Sequence, residues 1–534
     1  MLRIVPLIGR GFARLRRPLV CLMILPCLSM PDFAVDEFHV KGKALRSWIH
    51  DLNSVSDLTK IEACQALESQ GSRSRPAARA LVPLLREKEF LIRICALHAF
   101  IATDPPPEIL VPALIPLLQD AEMRWYAAQA LADVGPEARA AIPALIPLLK
   151  GNNDIKLAEC AAYALGEIGP DAKEAVPALC EVLFHSKGPQ SDRAWNAILA
   201  IGSGAAEHLG AALVDPDREH RRTVAALLIA LEEKARPARS ALRHDLEDED
   251  MLARIMVAHA LWNIDHQAEP FLPVFFAGLK DPKPIVRMQA LRALGAMGAD
   301  GQVALPEIRE LTKTGKGRVR LYAAFALWKI NQDARPVLPI FAELLESGNR
   351  AVIMEGVPFV AEMGSAARDL APNILKVLKS PDPARRLDAA NALCAIGPDP
   401  SIAVTPLTEA LKDDYFLVRG NAAIALSKMR EPARPAVPIL WKLMESDESE
   451  LVRVQAATAV WRLEKDVDNT LPIFRDLLES NKEETAVRLS LKSITEMGSL
   501  ARPTAPALRA RLQQEKKWRL RSEIQQALAS IDPK

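Results

Sequence analysis

Copies of one sequence motif recur along the whole chain, and this recurrence limits the fold more than any other feature. Four clear copies are PIVRMQALRALGAMG, GRVRLYAAFALWKIN, FLVRGNAAIALSKMR and ELVRVQAATAVWRLE. They share a Val-Arg pair, a small residue three positions after the arginine, and Ala-Leu or Ala-Val six and seven positions after it. Such a period indicates a solenoid, in which each unit is stacked on its neighbours.

The arginine of the motif sets the register of the repeat. From Arg254 onward it returns after steps of 33, 33, 66, 33, 34, 35 and 33 residues, and the double step contains a unit with Ile353 at that position. The full series is Arg93, Arg124, Arg221, Arg254, Arg287, Arg320, Arg386, Arg419, Arg453, Arg488 and Arg521. Positions are therefore counted from this arginine as zero.

A second marker, proline, repeats out of phase with the arginine. Prolines at 83, 112, 143, 177, 237, 273, 306, 339, 372, 406, 438, 472 and 506 each lie at the start of an apolar stretch. Proline suits the first turn of a helix, where its missing N–H costs nothing. Each unit is thus predicted to hold two helices, helix A with the proline and helix B with the arginine. The fold class is all-α, a right-handed α-solenoid of about 15 helix pairs.

Composition explains how such a chain buries a core. Hydrophobic residues make up 49% of the 534 residues, but aromatic residues only 5%. In helix B, positions +3, +4, +6, +7 and +10 share one face and hold Ala, Leu, Ile or Met. One helix pair cannot bury this face alone, whereas stacked pairs can.

These motifs resemble the HEAT-repeat family, in particular the bacterial HEAT-like repeats related to phycobilin lyase subunits. The resemblance rests on stretches such as LKDPKPIVRMQALRALGAMG and covers residues 44–534. It implies that an Asp of the turn and the Arg of helix B form a structural ladder between units. The Asp lies six residues before the Arg in the pairs Asp215 and Arg221, Asp281 and Arg287, Asp413 and Arg419, and Asp447 and Arg453.

The N-terminus is organised differently from the repeats. Residues 1–17 contain five arginines and no acid, and an apolar run of 13 residues follows, PLVCLMILPCLSM. This order predicts a signal peptide or membrane anchor over residues 1–34, a short linker over 35–43 and a periplasmic or extracellular location. A cytoplasmic location with a mis-assigned start remains the alternative. Membrane contact is expected only through this segment, if it is uncleaved.

Net charge does not point to a nucleic-acid partner. The chain has 68 basic and 67 acidic residues. Without residues 1–34, which hold five arginines and Asp32, 63 basic and 66 acidic residues remain, a net charge of −3. Nucleic-acid binders normally present a basic face, so no such partner is expected.

The sequence contains no motif that indicates an enzyme. GxxxxGK[ST], GxSxG, HExxH and even a His-Glu dipeptide are absent, and no two cysteines form a CxxC pair. Cys64, Cys95, Cys160 and Cys394 replace alanine in helical segments, as packed residues do. We therefore assign no catalytic, cofactor-binding or metal-binding residue.

The outward side of helix B, centred on position +5, is the candidate partner-binding surface. The family resemblance implies that this side lines the concave face of the solenoid. Trp and Tyr anchor protein interfaces more often than other residues. Packing between adjacent B helices is nevertheless the favoured explanation of the tryptophans at position +8, since buried aromatic residues usually serve packing. The candidates are His259, Trp262, Arg292, Tyr322, Phe325, Trp328, Asn391 and Trp461.

Two units depart from the repeat. The unit around residues 192–217 lacks the proline of helix A, and the unit at 350–363 lacks the arginine and places Gly356 and Pro358 inside helix B. Sequence drift, a change of curvature and a docking point are all compatible with these departures.

The leading functional hypothesis is a non-catalytic scaffold that binds a protein or extended peptide along the concave helix B face. A lyase-type enzyme or enzyme subunit built on HEAT-like repeats is one alternative. An intracellular regulatory adaptor is another, and it requires that the N-terminal segment stay in the cytoplasm. Partner binding on a repeat fold is a property of its surface rather than of the fold.

Overall fold

The computed structural model describes residues 39–40, 43–150, 154–480, 483–515 and 517–532. The predicted signal peptide or anchor, residues 1–34, lies outside the described residues, as does most of the predicted linker 35–43. Two short strands precede the helices: β1 (His39–Val40) pairs antiparallel with β2 (Lys43–Ala44). Helices then follow one another to the end of the described chain.

The B helices are the longer member of each pair. They are α2 (Asp57–Ser69), α4 (Phe90–Ala102), α6 (Arg124–Val134), α8 (Ile155–Ile168), α10 (Pro189–Ile201), α12 (Arg218–Leu231), α14 (Met251–Asp265), α16 (Pro284–Ala296), α18 (Arg318–Asn331), α20 (Arg350–Met363), α22 (Pro383–Ile396), α24 (Phe416–Met429), α26 (Glu450–Glu464), α28 (Glu484–Met497) and α30 (Trp518–Ile531).

The A helices alternate with them, so the described residues form fifteen pairs. They are α1 (Leu45–Asp51), α3 (Ala78–Leu81), α5 (Pro107–Leu114), α7 (Ile142–Leu145), α9 (Val176–His185), α11 (Ser203–Ala211), α13 (Arg239–His244), α15 (Leu272–Leu279), α17 (Leu305–Thr314), α19 (Leu338–Glu346), α21 (Ala371–Val377), α23 (Pro400–Ala410), α25 (Val437–Ser446), α27 (Val467–Glu479) and α29 (Ala505–Gln514).

Short 3-10 helices precede or extend many of the A helices. Their bounds are Gly71–Ala77, Val82–Arg86, Ile115–Gln119, Gly135–Ala141, Ile146–Lys150, Gly169–Ala175, Ala212–Val214, Glu232–Ala238, Asp245–Glu247, Gly298–Ala304, Gly364–Leu370, Glu431–Ala436 and Gly498–Thr504. The α-solenoid of about fifteen helix pairs predicted from the sequence is therefore confirmed.

Proline opens the A helices as predicted in most units. Pro143, Pro177 and Pro273, for example, occupy the first turn of their helices. The prediction is wrong for Pro83 and Pro237, which lie in the 3-10 helices Val82–Arg86 and Glu232–Ala238. It is also wrong for Pro112, Pro406 and Pro472, which lie inside α5, α23 and α27. The helix begins one turn or more before the proline in α5, α23 and α27.

Small residues allow successive B helices to approach closely. A Cβ atom at Gly166 would stand 3.1 Å from the Cα atom of Ala197, and one at Gly295 would stand 3.2 Å from the Cα atom of Ala326. Both glycines occupy position +8 of their helices, so larger side chains there would push the next helix away. One hydrophobic core runs through the stack from Leu45 to Ile531.

The two irregular units keep the architecture of their neighbours. In the first, helix A is α11, which has no proline and follows α10 directly after Gly202 (φ 67°). In the second, α20 continues through Pro358, and Phe359 of this helix is buried. The sequence departures therefore do not interrupt the stack.

Candidate functional site

The B helices form the inner layer of the solenoid. Successive B helices such as α8 and α10 contact each other along their length, whereas successive A helices such as α19 and α21 touch at few points. Because curvature brings the inner layer of a stack together, helices B lie on the concave side. Residues at position +5 of these helices therefore face the interior of the curve.

The arginine at position zero connects its own turn to the next unit. Arg419 donates from Nη1 to the backbone oxygen of Asp413 at 2.9 Å, and from Nε and Nη2 to the carboxylate of Asp447 at 2.8 Å each. Arg221 does the same with the backbone oxygen of Asp215 and, in the next unit, the carboxylate of Asp248. Each arginine thus contacts the backbone of the aspartate six residues before it, and the carboxylate of the following unit.

This ladder of contacts is interrupted at several units. Arg287 bonds to the backbone oxygens of Asp281 and Pro282 at 2.7 and 3.0 Å, without a carboxylate bond in the described chain. Arg453 contacts the backbone oxygen of Met444 at 3.3 Å instead of Asp447. Arg221 and Arg419 thus make a charge-assisted bond to the next unit that Arg287 and Arg453 lack among the described residues.

The structure buries three of the candidate partner-binding residues. His259 is 4% exposed, Trp328 7% and Trp461 5%. They occupy positions +5 and +8, and the close approach of neighbouring B helices covers them. For these three side chains the structure favours packing over partner contact.

Two further candidates, Tyr322 and Phe325, are half-buried within an aromatic cluster. The rings of Phe325 and Phe359 stack with centroids 3.9 Å apart, and Tyr322 meets Phe359 edge-on at 5.1 Å. Trp328 lies 5.4 Å from Phe325 and completes the cluster. Trp262 is also half-buried, and its Nε1 donates to Asp300 at 3.4 Å. These rings join adjacent units.

Arg292 and Asn391 are the two candidates that remain exposed. Both occupy position +5, three units apart along the inner face. Arg292 also acts on its buried neighbour: burial first, and the positive charge of Arg292 second, lower the pKa of His259 to about 3. His259 is therefore neutral in the folded protein at physiological pH.

The end of the solenoid contacts its beginning. Trp518, at the start of α30, donates from Nε1 to Oε2 of Glu167 in α8 at 3.2 Å, and Nε of Arg519 lies 3.0 Å from the same oxygen. Gly135, at the end of α6, is in the left-handed region (φ 74°), and a Cβ atom there would overlap the Trp518 ring. We call this set of residues, Gly135, Glu167, Trp518 and Arg519, the closing contact.

Charged residues beside the closing contact reinforce it. Lys517 donates to Glu484 at 2.6 Å, and Glu484 also pairs with Arg488 at 2.9 Å. Burial alone would lower the pKa of Lys517, but the bond to Glu484 and the nearby Asp133 raise it. Lys517 is thus charged beside the junction that joins the last unit to the third and fourth units.

The sequence alone did not reveal the closing contact. Gly135 resembles the other helix-ending glycines, and Trp518 lies three residues before Arg521, outside the positions considered for the inner face. A tryptophan that is 37% exposed at a helix start is the one unusual local feature. Its partner depends on the curvature accumulated over many units, which no local motif encodes.

The described residues contain little that suggests metal or thiol chemistry. No group of three or more His, Cys, Asp or Glu side chains within them could hold a metal ion. Burial, the largest cause in each case, raises the pKa of the Cys64 and Cys180 thiols to about 12. A thiol with such a pKa is a poor nucleophile at neutral pH.

Within the described part of the chain, no single helix is long and apolar enough to cross a membrane. One pair of helices, Pro189–Ile201 and Ser203–Val214, passes the length and composition test jointly but bends by 116° between them.

Comparison with known families identifies the class of protein that this repeat defines. The profile of HEAT repeats matches residues 111–202 and 371–461, and a single HEAT repeat profile matches 271–300. The chain is a HEAT-repeat protein, as the sequence motifs predicted. No curated protein matches it in sequence, and the more specific resemblance to repeats of the phycobilin-lyase type stays a prediction.

Several solved structures are similar to this chain. Yeast importin-beta (Kap95p) has 13% identity and a TM-score of 0.46, over 93% of this chain and 77% of that one. Kap121p has 13% identity and a TM-score of 0.42, over 90% and 70%. The S. pombe condensin Cnd3-Cnd2 subcomplex has 13% identity and a TM-score of 0.35, over 91% and 87%.

Proposed function

We propose that this chain is a non-catalytic scaffold that binds a protein partner, in extended form, along the inner face of helices B. One observation carries the proposal: where the side chain at position +5 is exposed, it is polar in every described unit. These residues are Gln65, His98, Asn196, Arg292, Asn391 and Gln526.

Exposed amide and guanidinium groups suit the recognition of a polypeptide backbone. Asn and Gln offer both donors and an acceptor, and Arg offers five donors in a fixed geometry. At about 10 Å per stacked layer, Arg292 and Asn391 lie roughly 30 Å apart. An extended segment of about nine residues would span them.

A paired substitution tests the proposal. Arg292→Ala with Asn391→Ala removes two exposed groups without creating a cavity, so the protein should keep its melting temperature. Tagged protein returned to its native cells should then retain its captured partners less well, as quantified by mass spectrometry. The matched control is Glu310→Ala with Lys313→Ala, two exposed residues of helix α17 on the outer layer. Equal capture by both variants would rule out the inner face as the binding surface.

We propose in addition that the protein is exported. The support is the order of five arginines followed by an apolar run within residues 1–30. The mature protein should begin after residue 26 and be found outside the cytoplasm. N-terminal sequencing of the native protein tests this, and soluble cytoplasmic protein that retains Met1 would disprove it.

A further inference from the structure

The closing contact shows what one groove between two B helices of this chain can hold. The groove lies between α6 and α8, the B helices of units 3 and 4 when helix pairs are counted from the first. The indole of Trp518 lies there against Gly135 at the end of α6 and donates to Glu167 near the end of α8. Arg519, the residue after this tryptophan, pairs with the same Glu167 at 3.0 Å. The groove thus accepts an aromatic side chain, Trp518, that is followed by a basic residue, Arg519, which pairs with the acidic residue of the groove, Glu167.

The groove at the same repeat position between units 11 and 12 holds no side chain of another unit equivalent to Trp518 in the described chain. A shallow depression of about 390 Å³, open to solvent, lies there. Gly397 and Pro398, at the end of α22, correspond to Gly135 and Pro136 by repeat position. Lys428 of α24 corresponds to Glu167, so the charge is reversed. The remaining wall is formed by Arg368, Leu393, Cys394, Asp399, Pro400, Ala425 and Met429.

The cations of this cavity form no salt bridge in the described chain. Elsewhere, a basic residue at position +9 pairs with an acid of the next unit, as Lys329 does with Glu362 at 2.8 Å. Lys428 instead donates to the backbone oxygen of Cys394 at 3.0 Å, and neither it nor Arg368 is in a salt bridge among the described residues. Arg368 already faces one carboxylate of the cavity wall, because the pKa of Asp399 is lowered by hydrogen bonds from Ser401 and, to a smaller extent, by the charge of Arg368. An acidic group in this cavity would therefore meet Lys428, which has no acidic partner among the described residues, and Arg368 beside it.

We propose that the groove between α22 and α24 binds a tryptophan side chain followed by an acidic residue, presented by a partner protein. The indole would lie against Gly397, as Trp518 lies against Gly135, and the carboxylate would pair with Lys428 and Arg368. Asp399, in the wall of the cavity, offers an acceptor for the indole N–H. The inference deepens the proposed scaffold function by naming a partner chemistry, but it concerns the edge of the B layer and not the residues at position +5.

Short labelled peptides test the groove directly. Three fluorescein-labelled eight-residue peptides would differ only at their centre, which is Trp-Glu, Trp-Arg or Ala-Glu. Binding to the full chain is followed by fluorescence polarisation up to concentrations on the order of 1 mM, because small ligands of this kind bind weakly. The Trp-Glu peptide should bind at least about tenfold more tightly than either of the others, since it alone supplies both the ring and the opposite charge.

Charge reversal at Lys428 provides the second arm of the test. Lys428→Glu recreates the charge of the Glu167 groove, so the preference should change from the Trp-Glu to the Trp-Arg peptide. Lys379→Glu, the same change at an exposed residue outside the cavity, should leave the original preference intact.

Equal binding of the three peptides, or a preference that Lys428→Glu does not alter, would overturn the proposal. Neither result depends on the inner face, because the peptide assay uses no native partner. The two proposals can also fail separately. If Arg292→Ala with Asn391→Ala leaves partner capture unchanged and the peptides bind as expected, binding along the inner face is disproved while the groove proposal is supported.

Discussion

Trp518 Nε1 donates a hydrogen bond to Glu167 Oε2 at 3.2 Å, although 351 residues separate them in the chain. In most solenoids a unit contacts only its neighbours, so curvature is the sum of small local rotations. Here the last B helix also rests on the third and fourth units, and the curvature is fixed at both ends. Helix α29 of the last unit also contacts the 3-10 helix Gly71–Ala77, so the closing contact is part of a junction between the two ends of the described stack that constrains the shape of the inner face.

Removal of Trp518 should open this junction without unfolding the units. Trp518→Ala takes away the indole that fits against Gly135 and the bond to Glu167, while the stacked core is untouched. The radius of gyration measured by small-angle X-ray scattering should increase. The melting temperature should change little, because the side chain is 37% exposed. Trp125→Ala, at a tryptophan that is 40% exposed at the opposite end of α6 from Gly135, is the control.

An unchanged scattering curve for Trp518→Ala would mean that stacking alone sets the curvature. A curve that changes equally for Trp125→Ala would attribute the effect to loss of a surface tryptophan rather than of the closing contact.

The aromatic cluster should act as core. Trp328 is buried and lies 5.4 Å from Phe325, which stacks on Phe359. Phe325→Ala with Trp328→Ala should cost at least about 3 kcal/mol of unfolding free energy through cavity formation, as measured by urea denaturation. Affinity for a partner should stay unchanged in the fraction that is folded. If the double variant kept the stability of the wild type but lost partner binding, these rings would be partner contacts and not core.

The bonds from the repeat arginines to carboxylates should contribute more to the free energy of unfolding than their bonds to backbone oxygens. Arg419→Met leaves the carboxylate of Asp447 buried without its guanidinium, which we expect to cost about 3–5 kcal/mol of unfolding free energy. Arg287→Met removes bonds to two backbone oxygens and should cost about 1–2 kcal/mol. Urea denaturation of the two variants makes the comparison. Equal losses would show that the bond to the next unit contributes nothing.

His259 should make the protein sensitive to mild acid. Its pKa is about 3 in the folded state, mainly because of burial, against an ordinary value of 6.5. Below pH 6.5 this histidine therefore binds a proton in the unfolded chain but not in the folded chain. The free energy of unfolding falls as the pH decreases from 6.5 toward 3. Between pH 7 and pH 5 this linkage amounts to about 2 kcal/mol.

The histidine effect can be isolated by substitution. His259→Leu should flatten the loss of unfolding free energy between pH 7 and pH 5, whereas His98→Leu, at the exposed equivalent position, should not. Parallel pH curves for the wild type and His259→Leu would contradict the buried, neutral histidine.

The repeat motif predicted the fold because it encodes contacts between adjacent units. Arg419 reaches Asp447 one unit away, and Gly295 admits Ala326 of the next helix, so local sequence contains both partners at a fixed spacing. Packing between adjacent B helices is the favoured interpretation of the tryptophans at position +8, and the burial of Trp328 agrees with it. The sequence could not decide the point for each ring, because burial depends on the distance between neighbouring B helices. The closing contact was missed for a similar reason: only the summed curvature brings Trp518 to Glu167.

The central claim, that a partner lies along the inner face of helices B, is tested most directly by site-specific photo-crosslinking in the native cell. A benzophenone amino acid is placed at Arg292, at Asn391 or, as the outer control, at Glu310 of helix α17. All three side chains are exposed, so none of the substitutions disturbs the core. We predict that one and the same protein is crosslinked from positions 292 and 391 and not from 310. Crosslinks from 310 alone, or equally from all three positions, would contradict the account.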